Sequence, residues 1–188
     1  KMISENVYKE NLLSKLNEIT LGWIDGDKES GNEKKTDIVN HTLKIAIEIK
    51  DDTKYKTIFP EKEGVMYTAS HDLTKMNQRY ADDVRSANSK FKNYPSYKTI
   101  LILRTEFFVV DIIKYVILGL HTFSKVNEKL VYSGRKGKYS SYVRNNIGCF
   151  LIVNHKSSFL PNRFAMQDRA LNKEELERML GLEIEDIL

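Results

Sequence analysis

The strictest pattern along the chain is an alternation. Between Leu43 and Lys50, Leu43, Ile45, Ile47 and Ile49 take one side of an extended strand, and Lys44, Ala46, Glu48 and Lys50 take the other. The isoleucine side predicts a buried face. Before it lies a shorter apolar run, Ile38-Val39, and Asn40-His41 supplies turn chemistry between the two. The pattern therefore predicts a β-hairpin. A loop over Asn40 to Leu43 pairs Val39 with Lys44 and sets Asp37 opposite Ala46, diagonal to Glu48 at roughly 7–8 Å. A two-residue loop keeps Asp37 on that face but opposite Lys44, too far from Glu48. A three-residue loop turns it to the isoleucine face. The four-residue loop is the preferred reading.

Around the hairpin the period changes. Tyr8, Leu12, Leu16 and Ile19 fall on one side of a helix over 3–19, with Ser4 as N-cap and Leu13 at the edge. Leu21-Gly22-Trp23-Ile24 suggests a short strand, followed by a polar loop over 25–35 and, after the hairpin, an irregular polar stretch over 51–68. Leu73, Met76, Tyr80, Val84, Ala87 and Phe91 form the stripe of a second helix over 71–93, which Tyr94-Pro95 ends. Thr99 to Leu103 is a continuous apolar strand of the kind covered on both faces. Residues 109–120 combine helical spacing with high strand propensity. Phe150 to Val153 predicts another buried strand, and Asn172 caps a last helix over 173–180 that Gly181 stops. This order predicts an α/β chain: one mixed sheet with helices on both sides, read as a single domain over 1–188 with a core at 3–105.

Composition narrows the class. Of 188 residues, 41% are hydrophobic and 30% charged, which excludes a disordered chain. A net charge of +4 permits a polyanionic partner without requiring one. The lone Cys149 lies in an apolar run and reads as a buried small hydrophobe, with no internal disulfide and no zinc spacing. No apolar run reaches the roughly 18 residues of a membrane span, and the N-terminal stretch turns polar by the fourth residue. A cytoplasmic protein with no membrane partner is the expectation. His41, His71, His121 and His155 are scattered, and Ser140-Ser141 lacks the turn context of a nucleophile.

The polar face of the hairpin carries the candidate chemistry. Asp37 and Glu48 offer hard oxygen ligands suited to Mg2+, joined by the backbone carbonyl of Ile49. Such an ion polarises a phosphate and lowers the pKa of a bound water. Lys50, two residues from Glu48 on the same face, would orient or deprotonate the attacking water or stabilise the developing charge. Glu5 lies at the centre of the apolar side of the first helix. It is either an auxiliary ligand or a solvated first-turn carboxylate favoured by the helix dipole.

Asp37, ten residues, then Glu48-Ile49-Lys50 after an apolar strand resembles the signature of the PD-(D/E)xK nuclease superfamily, which includes restriction endonucleases and Holliday-junction resolvases. Glu5 followed by Tyr8, Leu12 and Leu16 is similar to the helix-one glutamate pattern of that family. The likeness covers roughly residues 3–93, and it departs from the pattern at Thr36, where the family often has Pro. It implies a restriction endonuclease-like fold and a Mg2+-dependent endonuclease, with Mn2+ able to substitute. The substrate would be DNA, in restriction, mobile-element or repair work, and a homodimer is an open alternative to a monomer. Gln78 resembles a helix residue of resolvase-like members.

For nucleic acid the sequence offers Gln78 and Arg79 on the second helix, and the segment 125–144. There Lys125, Lys129, Arg135, Lys136, Lys138 and Arg144 alternate with Tyr132, Tyr139 and Tyr142, a composition suited to phosphate contacts and stacking. The same segment also reads as a solvated basic hairpin. Residues 168–188, with seven acids against three bases, should lie away from DNA. Two rivals stand beside the nuclease reading. One is a catalytically silent DNA- or protein-binding module on the same fold. The other is a small α/β protein whose Glu-x-Lys is a surface pair.

Overall fold

A computed structural model describes residues 3–29, 31, 34–51, 73–105, 123–126, 129–132, 144–154 and 156–187, with the backbone alone described for 73–79, 123–126 and 129–132. Its centre is a six-stranded mixed sheet in the order β1-β2-β3-β4-β7-β8. The strands are β1 (Trp23–Asp25), β2 (Ile38–Asn40), β3 (Ile45–Asp51), β4 (Lys98–Arg104), β7 (Cys149–Val153) and β8 (Ser157–Pro161). β3, β4 and β7 run parallel, while β1, β2 and β8 join antiparallel at the two sides. A separate hairpin pairs β5 (Phe123–Val126) with β6 (Lys129–Tyr132).

Helices cover both faces, as the alternation requires. The first, α1 (Glu5–Ile19), is capped by Ser4, whose side chain accepts from the Val7 N–H at 3.4 Å. Tyr8, Leu12 and Leu16 bury against the Ile45, Ile47 and Ile49 face of β3, while Ile19 is exposed. On that same face sit α3 (Lys173–Leu180) and the 3-10 turn Ile184–Ile187, through Leu176, Leu180, Ile184 and Ile187. Asn172 caps α3 at 2.7 Å from the Glu175 N–H, and Gly181 closes it in the left-handed conformation at φ 66°, which glycine adopts without strain. The opposite face is covered by α2 (Leu73–Phe91), whose Tyr80, Val84, Ala87 and Phe91 pack on Val39, Ala46, Leu101 and Leu103. At roughly 1.5–3 kcal/mol per buried large apolar side chain, the two layers supply most of the driving force for folding.

The face opposite the isoleucines is therefore not a solvent face. Ala46 and Glu48 are both fully buried beneath α2. Arg104 and Asp51 form a second buried pair at 2.8 Å where β3 and β4 end, with the guanidinium 4.3 Å above the Tyr8 ring. Tyr8 in turn donates to the Ile187 carbonyl at 2.7 Å, so α1, the sheet and the last turn meet at one node.

The hairpin departs from the expected register. Asn40 pairs with Ile45, so the four-residue loop is His41–Lys44, one position later than expected. Asn40 Oδ1 accepts from the Leu43 N–H at 2.9 Å, and Lys44 takes a positive φ of 53°. These two features hold Leu43 in the turn, where it is exposed and not part of the isoleucine face. The loop length stays even, so the parity of Asp37 is unchanged. β8 adds a strand that the pattern did not predict, and the β5–β6 hairpin overlaps the start of the segment that the sequence also reads as a basic hairpin. The expectations for 109–120 and for most of 51–68 fall outside the described residues.

Candidate active site

The register of β2 and β3 decides the geometry. Ile38 pairs with Ile47 and Val39 with Ala46. Continued by one residue, this places Asp37 across from Glu48 itself, closer than the diagonal position expected. β2 begins at Ile38, and the preceding Asp37 turns its side chain along the edge of β3, where Oδ2 accepts from the Ile49 N–H at 2.6 Å. In an extended strand the N–H and C=O of one residue point to the same edge. The Ile49 carbonyl therefore faces the side where Asp37 lies.

Glu48 holds the centre. Its Oε1 is 2.7 Å from Lys50 Nζ and 2.8 Å from Lys90 Nζ, and its Oε2 accepts from Lys90 at 2.9 Å. Neither approach to Oε1 is aligned as a hydrogen bond, so this buried oxygen has charge partners without a donor. A fully buried carboxylate without cationic partners would be strongly unfavourable. Burial and the neighbouring Glu48 push the Asp37 carboxyl up to about 6, against the relief given by the Ile49 amide, Lys90 and Lys9. For Lys50, burial works to lower the pKa, but Glu48, Asp37 and Asp83 outweigh it and hold the ammonium above its ordinary value.

A fully buried carboxylate beside a half-buried one, and a buried oxygen with no aligned hydrogen-bond donor, form a ligand set that a divalent cation would satisfy. Asp37, Glu48 and the Ile49 carbonyl fit Mg2+, which binds through one or two carboxylates and keeps several waters or phosphate oxygens. Among the described residues no three His, Cys, Asp or Glu side chains converge, so Glu5 does not join the two carboxylates in a cluster. Glu5 is half-buried in the first turn of α1. One turn later, Lys9 pairs with Asp25 and Asp27, each at 2.6 Å, and its charge reaches Asp37. The helix presents a lysine toward the Asp37 end.

Comparison with known proteins returns no matching family model, no matching curated protein and no matching solved structure.

The site therefore stands on its own geometry. Lys90 is the member that pattern reasoning missed. It lies seven residues after Asp83 and three after Ala87, on a charged stripe of α2 beside the apolar one. That spacing was the available signal, since Asp83 and Lys90 both act on the β3 pair.

The expected nucleic-acid residues have a different standing. Gln78 and Arg79 lie on α2, but their side chains fall outside the described residues, as do Arg135, Lys136 and Lys138. Arg144, counted with the basic segment, is buried, with its guanidinium 4.3 Å over the Phe164 ring. It packs the interior and does not present a charge to phosphate. Cys149 is free and buried, as expected, and burial raises its thiol pKa far above the ordinary range. No helix among the described residues is long and apolar enough to cross a membrane.

Proposed function

We propose that the protein is a divalent-metal-dependent endonuclease that hydrolyses DNA phosphodiester bonds, built on a restriction endonuclease-like fold over residues 1–188 and working in the cytoplasm. The observation that carries this reading is the convergence of Asp37, Glu48 and Lys50 at one end of β3, with burial and the neighbouring Glu48 opposing the ionisation of Asp37. Asp37, Glu48 and the Ile49 carbonyl would hold Mg2+, or Mn2+ in its place. When bound, the ion supplies Lewis-acid polarisation of a phosphate and a water acidified toward neutral pH.

The chain's own residues supply the rest. The Ile49 amide fixes the rotamer of Asp37, so one carboxylate oxygen is committed to the backbone and the other is left for a ligand. Lys50, held as an ammonium, is suited to stabilising charge on a phosphate oxygen rather than to taking a proton. α2 excludes water from Glu48, which strengthens each charge interaction there. Restriction, mobile-element or repair work are the settings this chemistry suits.

A second reading, a DNA- or protein-binding module without cleavage, is favoured by one observation. Both oxygens of Glu48 already face lysines, so the group can stand as a structural charge cluster. Incubation of the purified chain with supercoiled plasmid and branched DNA separates the two. The nuclease reading expects cleavage with Mg2+ or Mn2+, lost in EDTA and lost at least about 100-fold in Asp37→Ala or Lys50→Ala. Retention on DNA without cleavage would favour the binding module. Neither cleavage nor retention would leave Glu48-x-Lys50 as a structural pair.

A further inference from the structure

Lys90 meets Glu48 differently from Lys50. Lys50 approaches Oε1 at 2.7 Å, with no aligned hydrogen bond to the carboxylate. Lys90 reaches both oxygens of the carboxylate, at 2.8 and 2.9 Å, and its charge also bears on Asp37. One ammonium centred on both oxygens of a buried carboxylate, and near a second carboxylate, takes the place a divalent cation would take. We propose that Lys90 is the resident counter-ion of the candidate metal site, holding Glu48 and Asp37 together in the metal-free protein, and that a divalent cation binds by displacing its ammonium. This inference rests on the phosphodiesterase reading of the same residues.

Two features favour Lys90 over Lys50 as the group displaced. The first is its contact with both oxygens. The second is its origin: Lys90 comes from the last turn of α2, whereas Lys50 is on the same strand as Glu48, two residues away, and stays beside it whatever the ligand. Access permits the displacement without distinguishing the two lysines, since the Lys50 side chain is 21% exposed. The Lys90 side chain is 20% exposed, so its ammonium can move to water while the aliphatic stem stays packed, with no shift of the helix. The arrangement also solves a folding problem. Two carboxylates placed under a helix would oppose folding before any metal arrived, and an ammonium supplied by the chain offsets that charge. The cost falls on metal affinity, because the incoming ion must replace an existing partner.

Calorimetric titration of Mn2+ into the metal-free full chain, without DNA, tests this. The series is the unmutated chain, Lys90→Met, Lys50→Met and Glu48→Gln. Removal of Lys90 should tighten Mn2+ binding by about tenfold. Removal of Lys50 should tighten it less, and Glu48→Gln should abolish it. Thermal melts give a second readout. Lys90→Met should melt below the unmutated chain in EDTA, and the gap should close at saturating Mn2+. If Lys90→Met does not fold, Lys90→Gln is used in the same titration. In the unmutated chain, the Lys90 side-chain ammonium signal in NMR should be protected from solvent exchange without metal and lose that protection with Mg2+.

A gain for Lys90→Met no larger than that for Lys50→Met, with binding still dependent on Glu48, would overturn the role of Lys90 and leave the metal site standing. Absence of Mn2+ binding throughout the series, or binding unaffected by Glu48→Gln, would overturn the metal site and this inference with it.

Discussion

Asp37 accepts a hydrogen bond from the backbone of Ile49, one residue past the position it faces across the hairpin. The bond holds Asp37 beside a second carboxylate, and burial first, then the charge of Glu48, push its pKa up to about 6 against the relief the bond itself gives. The folded state thus binds this proton more tightly than the unfolded chain, in which Asp titrates near its ordinary 3.8. Stability from this group is present below about pH 4 and is lost as pH rises through 6. At neutral pH the ionised Asp37 costs on the order of 2 kcal/mol. Asp37→Asn should therefore stabilise the metal-free protein at pH 7.5 by up to that amount, raising Tm by about 4–8 °C. The gain should vanish near pH 4. Melts at both pH values check this, and an unchanged difference between them would contradict the Asp37 assignment.

Arg104 and Asp51 are both almost fully buried, and the guanidinium also donates to the Ile3 carbonyl at 2.7 Å. Arg104→Leu removes the buried guanidinium that Asp51 meets at 2.8 Å and should cost about 3–5 kcal/mol. Adding Asp51→Leu removes the carboxylate as well and should recover part of that loss. Urea denaturation of the two single variants and the double gives the coupling directly. Strict additivity would show that the pair does not act as a unit.

The Thr36 N–H is buried and donates to the Tyr94 hydroxyl at 3.3 Å. The same hydroxyl approaches Glu29 at 3.4 Å, and Glu29 meets His41 Nε2 at 2.5 Å, with His41 Nδ1 2.7 Å from the Tyr97 hydroxyl. Tyr94→Phe removes the acceptor and leaves a buried donor, at a cost of about 1–3 kcal/mol. Amide exchange at Thr36 should accelerate more than exchange at Ile47 in the sheet centre. Equal protection in variant and parent would mean that the amide has another acceptor.

Much of this arrangement was legible from parity alone. Ile45, Ile47 and Ile49 fix which face of β3 is buried against α1, and an even loop then sets Asp37 on the side of Glu48, whatever the exact register. The register itself was not legible. It depends on Asn40 bonding to Leu43 and on the positive φ of Lys44, and these shift the loop by one residue and expose Leu43. Lys90 was hidden because the apolar stripe of α2 accounts for its helix without it. Only the fold brings it across to a residue 42 positions earlier. Arg144 misled for the converse reason: local composition does not distinguish a guanidinium stacked on Phe164 from a solvated one. β8 was missed because Ser157-Ser158 opens it, and its place at the sheet edge relaxes the demand for apolar residues on both faces.

The polar loop before Asp37 is fastened at both ends. Gly26 donates to the Asp37 carbonyl at 3.0 Å, and a Cβ at Gly26 would come within 1.9 Å of the Thr36 carbonyl, so only glycine fits. At the other end Asn93 donates to the Lys34 carbonyl at 2.8 Å. Between these two fastenings Asp27 reaches Lys9 and Glu29 reaches His41, so both side chains stay tied to the body of the fold. Length added beyond Glu29 is therefore expected to leave Asp37 across from Glu48. A four-residue Gly-Ser insertion after Gly31 should cost well under about 1 kcal/mol. The two fastenings thus separate the length of this connection from the position of Asp37.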